Sequence, residues 1–512
     1  MLFNSYIFVF IFFPICLLGY YGLLHFRQDK AAKIFLTVMS LWFYGYFNVS
    51  YLLIMVGSIA VNYFFHYSLS RHPKKQLMIL AVACNLGVLF YFKYFDFFLD
   101  TMNHVFGTSF LLRGILLPLG ISFFTFQQIS FVVDTWRGEV RDCSFIDYAL
   151  FVSFFPQLIA GPIVNHGEML PQFDEIGHKP VLWERMAEGL GLFILGLAKK
   201  VLIADTFGAG VDYGYANLSL LGRFDAILVI CFYTLQLYFD FSGYCDMARG
   251  IGKMLGIEIP VNFNSPYKAI NIIDFWKRWH ITLNRFFTKY VYIPLGGNRK
   301  GEARMYLNLL LVFLLSGLWH GAGWNFVVWG ALHGVLYVAT RFRQKRFAHS
   351  LLNVAEPVGN GDDRHSGNTA VRHTNVRRIF VTFVSRIALF IYVSVAWVYF
   401  RAESIGQANQ MLVTALRGPV QKVSVQLAEC LRPDEFWYVL KVLHLDRMSF
   451  SGYIPMAIVL TVGLYLAMVG PNAAQRMEKM KYRAVSVLIF AVLMVWCVLT
   501  FSQVSTFLYF NF

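Results

Sequence analysis

Two histidines could do chemistry here because of the residues around them. His320 ends a run of about fifteen almost wholly apolar residues, and His280 sits in the aromatic and basic segment DFWKRWHITLNRFF. An ionisable side chain at the edge of a hydrophobic segment is costly, which makes it a functional candidate by default. A general base must hold a neutral imidazole, and apolar surroundings favour that form. The same position also suits a hydrogen-bonded histidine packing two helices, and position alone leaves both readings open. His333, between Leu332 and Gly334, reads as a packing residue.

Cations lie close by in sequence. On a helix over 273–290, Arg278, Thr282, Arg285 and Lys289 share one side, and Phe275, Trp279, Phe286 and Tyr290 the neighbouring one. His280 then lies near Trp276 and Phe287, away from the basic stripe. Such a helix is expected at a membrane interface. Its cations would face headgroups or an anionic donor such as the phosphates of a coenzyme. In YIPLGGNRKG (292–301), Pro294, Gly296 and Gly297 make a tight turn that sets Arg299 and Lys300 beside exposed backbone donors. That arrangement can cradle a phosphate; a plain turn between membrane helices is the competing reading, and no clear helix is expected to open from it. In SGLWHGAGWNFVVWGALHG (316–334), Gly317, Gly321, Gly323, Gly330 and Gly334 let helix backbones approach closely. Upstream, Asp240, Ser242 and Asp246 lie in an apolar context, where a carboxylate needs a partner. Arg249 or Lys253 is the expected partner, in a structural ion pair or in support of a histidine.

The elements that position these residues are membrane helices. Of 512 residues, 57% are hydrophobic and only 14% charged, well below the ~25% of soluble domains. Apolar runs long enough to cross a bilayer recur throughout, and the short alternating segments of a membrane barrel are missing. Spans are expected at 2–24, 34–48, 51–69, 77–92, 115–133, 148–163, 187–206, 226–242, 306–320, 324–340, 380–399, 454–470 and 484–502. Residues 243–305 are too polar for a plain span and too apolar for a plain loop. The formal charge of +15 falls between hydrophobic segments, which fits cytoplasmic loops and anionic lipid rather than nucleic acid. Arg27, Lys30, Lys33, Arg71, Lys74 and Lys75 place the first charged loops inside and the N-terminus outside. The first apolar run is read as a span, not a cleaved signal. Residues 341–378 read as a polar loop with a basic start, and 401–450 as small interfacial helices. The seven cysteines are scattered without CxxC, and there is no Gly-x-Ser-x-Gly. Neither a disulfide framework, a metal site nor a hydrolase elbow is expected.

Taken together, DFWKRWHITLNRFF, YIPLGGNRKG and SGLWHGAGWNFVVWGALHG resemble the membrane-bound O-acyltransferase family. The likeness is closest to its bacterial branch containing the alginate O-acetyltransferase membrane subunit. It extends to PLGISFFTFQQISFVVDTWRG (118–138), FFPQLIAGPIV (154–164), KKVLIAD (199–205), YFDFSGYCDMARGIGKMLGIEIPVNFNSPY (238–267) and WVYFRAES (397–404). The resemblance implies an all-α polytopic fold, a ring of transmembrane helices around a central funnel with interfacial and re-entrant helices. It implies a single membrane domain over 1–512, with core motifs at 118–340. It maps the family's nearly invariant histidine onto His320 and the second recurrent one onto His280. It implies acetyl-CoA as cytoplasmic donor, and Arg278, Lys289, Arg299, Lys300 and Trp319 are the residues expected to bind it. It also implies a bacterial inner-membrane location, and a periplasmic acetyltransferase or acceptor protein passing the acetyl group to an exported polysaccharide such as alginate or cellulose. D-alanyl transfer to teichoic acid, a transporter, and a non-catalytic scaffold of an exopolysaccharide complex are the alternatives.

Overall fold

The computed structural model describes the chain except for residues 141–142, 178–181, 353–366, 446–447, 449, 482, 504–506 and 509–512; for 347–352, 367–379 and 502–503 it describes backbone alone. The described elements are helices. Those used below are α1 (Phe8–His25), α2 (Asp29–Gly45), α3 (Val49–Arg71), α4 (Lys75–Phe106), α5 (Ile121–Trp136), α6 (Trp183–Ala198), α7 (Arg223–Met254), α8 (Ile272–Trp276), α9 (Ile281–Phe287), α10 (Glu302–His320), α11 (Trp324–Leu352) and α12 (Gly367–Arg401). Among the described residues α1, α3, α4, α7, α10 and the Phe380–Arg401 part of α12 are long and apolar enough to cross a membrane. Tyr453–Met468 and Ala484–Leu499 are shorter apolar helices. The chain is an all-α polytopic membrane protein.

Several expected boundaries move. The span expected at 148–163 is broken into helices Phe145–Ser153 and Phe155–Leu158. Phe154 between them has ψ 106°, outside the helical range, and Pro156 falls in the first turn of the second helix, a position where proline is tolerated. The basic start of 341–378 is not a loop, because α11 runs through it to Leu352, and α12 begins at Gly367. The intervening 353–366 lie outside the described residues. Over 401–450 the expected small helices are present, at Ile405–Arg417, Val425–Cys430 and Asp434–Val442.

The chain divides into two compact units, one of Met1–Ala209, Leu235–Asn262 and Pro471–Phe512, the other of Gly210–Thr234 and Phe263–Gly470. In the first, the Phe43 ring gathers those of Phe3, Phe8, Phe12 and Phe155 at centroid distances of 5.4 to 6.0 Å. Asn62 of α3 exchanges hydrogen bonds with Asn85 of α4 and donates to Gln128 of α5. Such polar contacts join helices in an apolar medium.

Glycines at matched spacing bring α6 against α7 in this unit. A Cβ at Gly196 would stand 2.6 Å from the Gly243 carbonyl oxygen, and one at Gly189 would stand 2.7 Å from that of Gly250. This contact sets the lysines that follow α6 beside the acids of α7. Lys199 Nζ lies 2.6 Å from Asp246, and Lys200 Nζ lies 2.7 Å from Asp205 and 2.8 Å from Asp240. The acids are therefore ion-paired as expected, but not by the expected residues. Lys253 pairs with Glu188, and Arg249 donates to the Ile259 carbonyl. The pairing lysines come from a distant segment, which helix periodicity within α7 could not reveal.

This contrast yields a stability test. Lys200→Met strands two carboxylates in a site where Lys200 and Asp240 keep only 1% and 2% of side-chain exposure, and should cost about 3–5 kcal/mol. Lys253→Met removes a partly exposed pair and should cost no more than ~1 kcal/mol. Thermal unfolding in detergent compares them; equal effects would contradict this account.

Candidate active site

The second unit builds its candidate site from α8 to α12. Asn271 caps α8, its side chain accepting from the Asp274 amide. The continuous helix expected over 273–290 does not form, because the chain turns after Trp276 and restarts at Ile281. The break sits at His280, whose φ of 47° and ψ of 52° are left-handed. That conformation is uncommon for a side-chain-bearing residue and costs about 1–2 kcal/mol. Surrounding bonds hold it: the Asn284 side chain donates to the Trp276 carbonyl across the break, and the Asn264 amide donates to the Arg278 carbonyl at 2.9 Å. Nor does the segment lie flat as an amphipathic surface helix, for Phe275, Trp276, Trp279, Phe286 and Phe287 are all buried.

The chain then passes through the turn at Gly296 and Gly297, both at positive φ. Contrary to expectation, a clear helix does open from this turn: α10 starts immediately after Gly301. His320 is its last residue. There α10 and α11 touch backbone to backbone. A Cβ at Gly317 would meet the Phe326 carbonyl oxygen at 2.3 Å, and one at Gly330 would meet that of Phe313 at 2.5 Å. Asn325 ties the start of α11 to the end of α12, donating to the carbonyls of Tyr399 at 3.1 Å and Ala402 at 2.7 Å.

These constraints bring the two histidines together. Their ring centroids lie 6.3 Å apart. The Trp319 ring touches both, at 4.9 Å from His320 and 6.0 Å from His280. Trp329 and Phe400 each stand 5.1 Å from His320. His280 keeps 1% of its surface exposed and His320 2%. Burial pushes the His280 imidazole down to about 3, so at neutral pH it carries one N–H donor and one lone pair and no charge. His333 packs as expected, fully buried against Trp329 at 4.9 Å and Trp276 at 5.2 Å.

The cations are placed differently. Arg278 turns to Asp274 at 2.8 Å and to the Asn264 carbonyl at 3.4 Å. Lys289 lies 5.3 Å from the centre of the Tyr290 ring. Arg299 and Lys300 are exposed on the glycine turn, where the Lys300 stem covers Gly296. The structure thus unites His280, His320 and Trp319, whereas Arg278 turns to Asp274, Lys289 to Tyr290, and Arg299 and Lys300 to the surface. Reading the sequence missed Trp329 and Phe400 as walls of the site, and Trp397, which backs them at 5.5 and 5.2 Å; their only signal was aromatic residues one helical turn apart. It also missed a cluster in the first unit, where Asp134, Glu139 and His166 bring ligand atoms within 4.8 Å of one another. The Arg137 guanidinium lies 3.6 Å from the Asp134 carboxylate, so we read that cluster as a charge-paired joint rather than a metal centre.

Two buried imidazoles, one ending an apolar helix, can move a proton and donate a hydrogen bond in a site that keeps water out. Residues 85–354 match the membrane-bound O-acyltransferase family, MBOAT. The chain belongs to that family. It is an O-acyltransferase. It is 41% identical over 442 residues to the peptidoglycan O-acetyltransferase of Helicobacter pylori, covering 80% of this chain and 79% of that one. It is 38% identical over 421 residues to the probable alginate O-acetylase of Pseudomonas aeruginosa, covering 80% and 74%. The teichoic acid D-alanyltransferase of Bacillus subtilis is 29% identical over 243 residues, covering 44% of this chain and 60% of that one.

The left-handed break can be tested apart from chemistry. At an ordinary position alanine is more stable than glycine, but at positive φ the order inverts. His280→Gly should therefore be more stable than His280→Ala by about 0.5–1 kcal/mol, read as a higher unfolding temperature. The reverse order would show that the backbone there is not held left-handed.

Proposed function

We propose that this acyltransferase takes acetyl from acetyl-CoA at the cytoplasmic side of the bacterial inner membrane and delivers it toward a hydroxyl of an extracytoplasmic glycan. The pairing of His280 and His320 at 6.3 Å inside an aromatic wall carries this reading. His320 takes the proton of the attacking hydroxyl, and the new C–O bond forms at the thioester carbonyl. His280 donates to the carbonyl oxygen as charge develops there, which is where an acyl transfer gains most. The adduct collapses, the C–S bond breaks, and the proton on His320 passes to the departing thiolate to give free CoA. Arg278, Lys289, Arg299 and Lys300 supply cations for the donor's phosphates, and Trp319 lines its acyl end. The attacking hydroxyl belongs either to the glycan or to a periplasmic transferase that relays the acetyl group, and anionic lipid surrounds the basic loops.

The glycan has two readings. Likeness to alginate O-acetylases supports an exported polysaccharide such as alginate or cellulose. The 41% identity to a peptidoglycan O-acetyltransferase supports a cell-wall glycan instead. D-alanyl transfer draws only on likeness over 44% of the chain.

The first test is CoA release from acetyl-CoA by purified wild type and His320→Ala in nanodiscs, with a soluble glycan fragment supplied as hydroxyl acceptor. Removing the base should lower turnover about 10²–10⁴-fold. A correctly inserted His320→Ala that keeps full turnover would falsify the assignment. Mass spectrometry of muramic acid and of exported polysaccharide, in cells with and without the gene, separates the two acceptors by which one loses O-acetyl groups.

A further inference from the structure

Asn325 bonds the end of α12 on both sides of Phe400. The last carbonyls of a helix lack partners within it and must find them elsewhere. Near the end of α12, those of Tyr399 and Ala402 accept from one group, the Asn325 side-chain nitrogen, at 3.1 and 2.7 Å. An amide nitrogen carries two hydrogens, so one side chain can serve both. Asn325 is buried, the second residue of α11 and five residues past His320. The turn between α10 and α11 sets its place. A Cβ at Gly323 would stand 2.4 Å from the Asn325 side-chain oxygen, and the Phe326 amide donates to the Gly323 carbonyl at 3.1 Å. Two other ties at this end of α12 are weaker. The Tyr215 hydroxyl reaches the Val398 carbonyl at 3.5 Å, and Arg401 pairs with the exposed Asp212.

The Phe400 ring is buried and meets the His320 imidazole at 5.1 Å, with 68° between the planes. Trp319 and Trp329 meet the same imidazole at 72° and 85°. Edge-to-face contacts favour particular ring orientations, so three rings on three helices aim the imidazole. Trp319 and Trp329 are placed by the backbone contact of α10 and α11 at Gly317 and Gly330. Phe400 comes from α12, whose last turn Asn325 holds.

From this arrangement we infer that Asn325 is a positioning residue for acyl transfer, acting through Phe400 on the orientation of His320. The inference rests on His320 as the base proposed above. The Tyr392 hydroxyl donates to the Leu332 carbonyl at 2.8 Å and holds the middle of α12 against α11. Loss of the Asn325 bonds therefore loosens the last turn and leaves the helix packed. Phe400 then shifts, and the imidazole turns with it. A base displaced by about 1 Å can lose ~10²-fold in rate. The CoA portion of the donor, which His320 does not hold, binds as before.

The test measures kcat and KM for acetyl-CoA in nanodiscs, with a soluble glycan fragment as acceptor. Wild type, Asn325→Ala, Phe400→Leu and the double variant are compared, each normalised to folded protein. Asn325→Ala should lower kcat about 10–100-fold and change KM by less than ~3-fold. Phe400→Leu should also lower kcat, and in the double variant the two falls should not multiply, because the residues act in one chain of contacts. A purely structural role would reduce the folded fraction and leave kcat of the folded protein unchanged. If Asn325→Ala does not insert, Asn325→Ser, whose shorter hydroxyl can serve one carbonyl, is judged by the same two measures. If the purified protein needs a partner to turn over, the same ratios are read in native membranes. A folded Asn325→Ala with wild-type kcat, a loss confined to KM, or falls that multiply in the double variant would overturn the inference. If His320→Ala keeps full turnover, the base assignment fails and this inference with it. If His320→Ala is inactive and Asn325→Ala is not impaired, this inference alone fails.

Discussion

Backbone contact between α10 and α11 fixes the surroundings of His320. At Gly317 and Gly330 one helix's Cα lies against the other's carbonyl oxygen, closer than any side chain would allow. In a bilayer little hydrophobic force pulls helices together, so close packing of this kind must supply the attraction. The consequence is local and strict. With the end of α10 fixed, His320 faces Trp329 of α11 and Phe400 of α12, and Trp319 faces His280. A looser crossing would open the wall to water and let the imidazoles drift apart, and proton transfer tolerates neither.

The protein handles its buried ionisable groups in two opposite ways. In the first unit, the carboxylates of Asp240 and Asp246 are met by lysine ammoniums within 2.8 Å, so charge is kept and balanced. In the second unit, the described rings around His320 are aromatic, and burial holds His280 neutral. The first arrangement is suited to holding helices in register. The second is suited to chemistry, because a neutral imidazole pair offers donor and acceptor together without the desolvation cost of a standing charge. A low-dielectric setting also strengthens any hydrogen bond made to charge that appears only during reaction.

The class of fold, the helical nature of most apolar runs and the two histidines were legible in the sequence, because each leaves a local mark: a long apolar run, or a polar residue where none is expected. The small helices over 401–450 and the glycine contacts of α10 and α11 were legible for the same reason. What escaped was non-local. The partners of Asp240 and Asp246 come from Lys199 and Lys200, some forty residues upstream, and only the α6–α7 crossing brings them together. The break at His280 escaped for another reason. Every neighbouring residue is compatible with a helix, and the left-handed turn is imposed by bonds from Asn284 and Asn264 that no propensity records. The wall at Phe400 and the Trp397 ring behind it escaped because aromatic residues are everywhere in a chain with 52 phenylalanines.

That break carries the strongest physical argument linking fold to site. A straight helix through 273–290 would display its side chains every 100° around one axis, and the direction of His280 would be fixed by that axis. Ending α8 at Trp276 and restarting at Ile281 frees the direction of the residue between them. His280 is then aimed inward at the end of α10, while Arg278, two residues earlier, stays at the surface against Asp274. Strain at one residue of about 1–2 kcal/mol is a modest cost for turning a buried imidazole toward the end of α10. Unusual backbone of this kind persists only where the surrounding structure enforces it. Here the enforcing contacts, the Asn284 and Asn264 bonds and the buried Trp276 and Trp279 rings, belong to the same segment that carries the histidine.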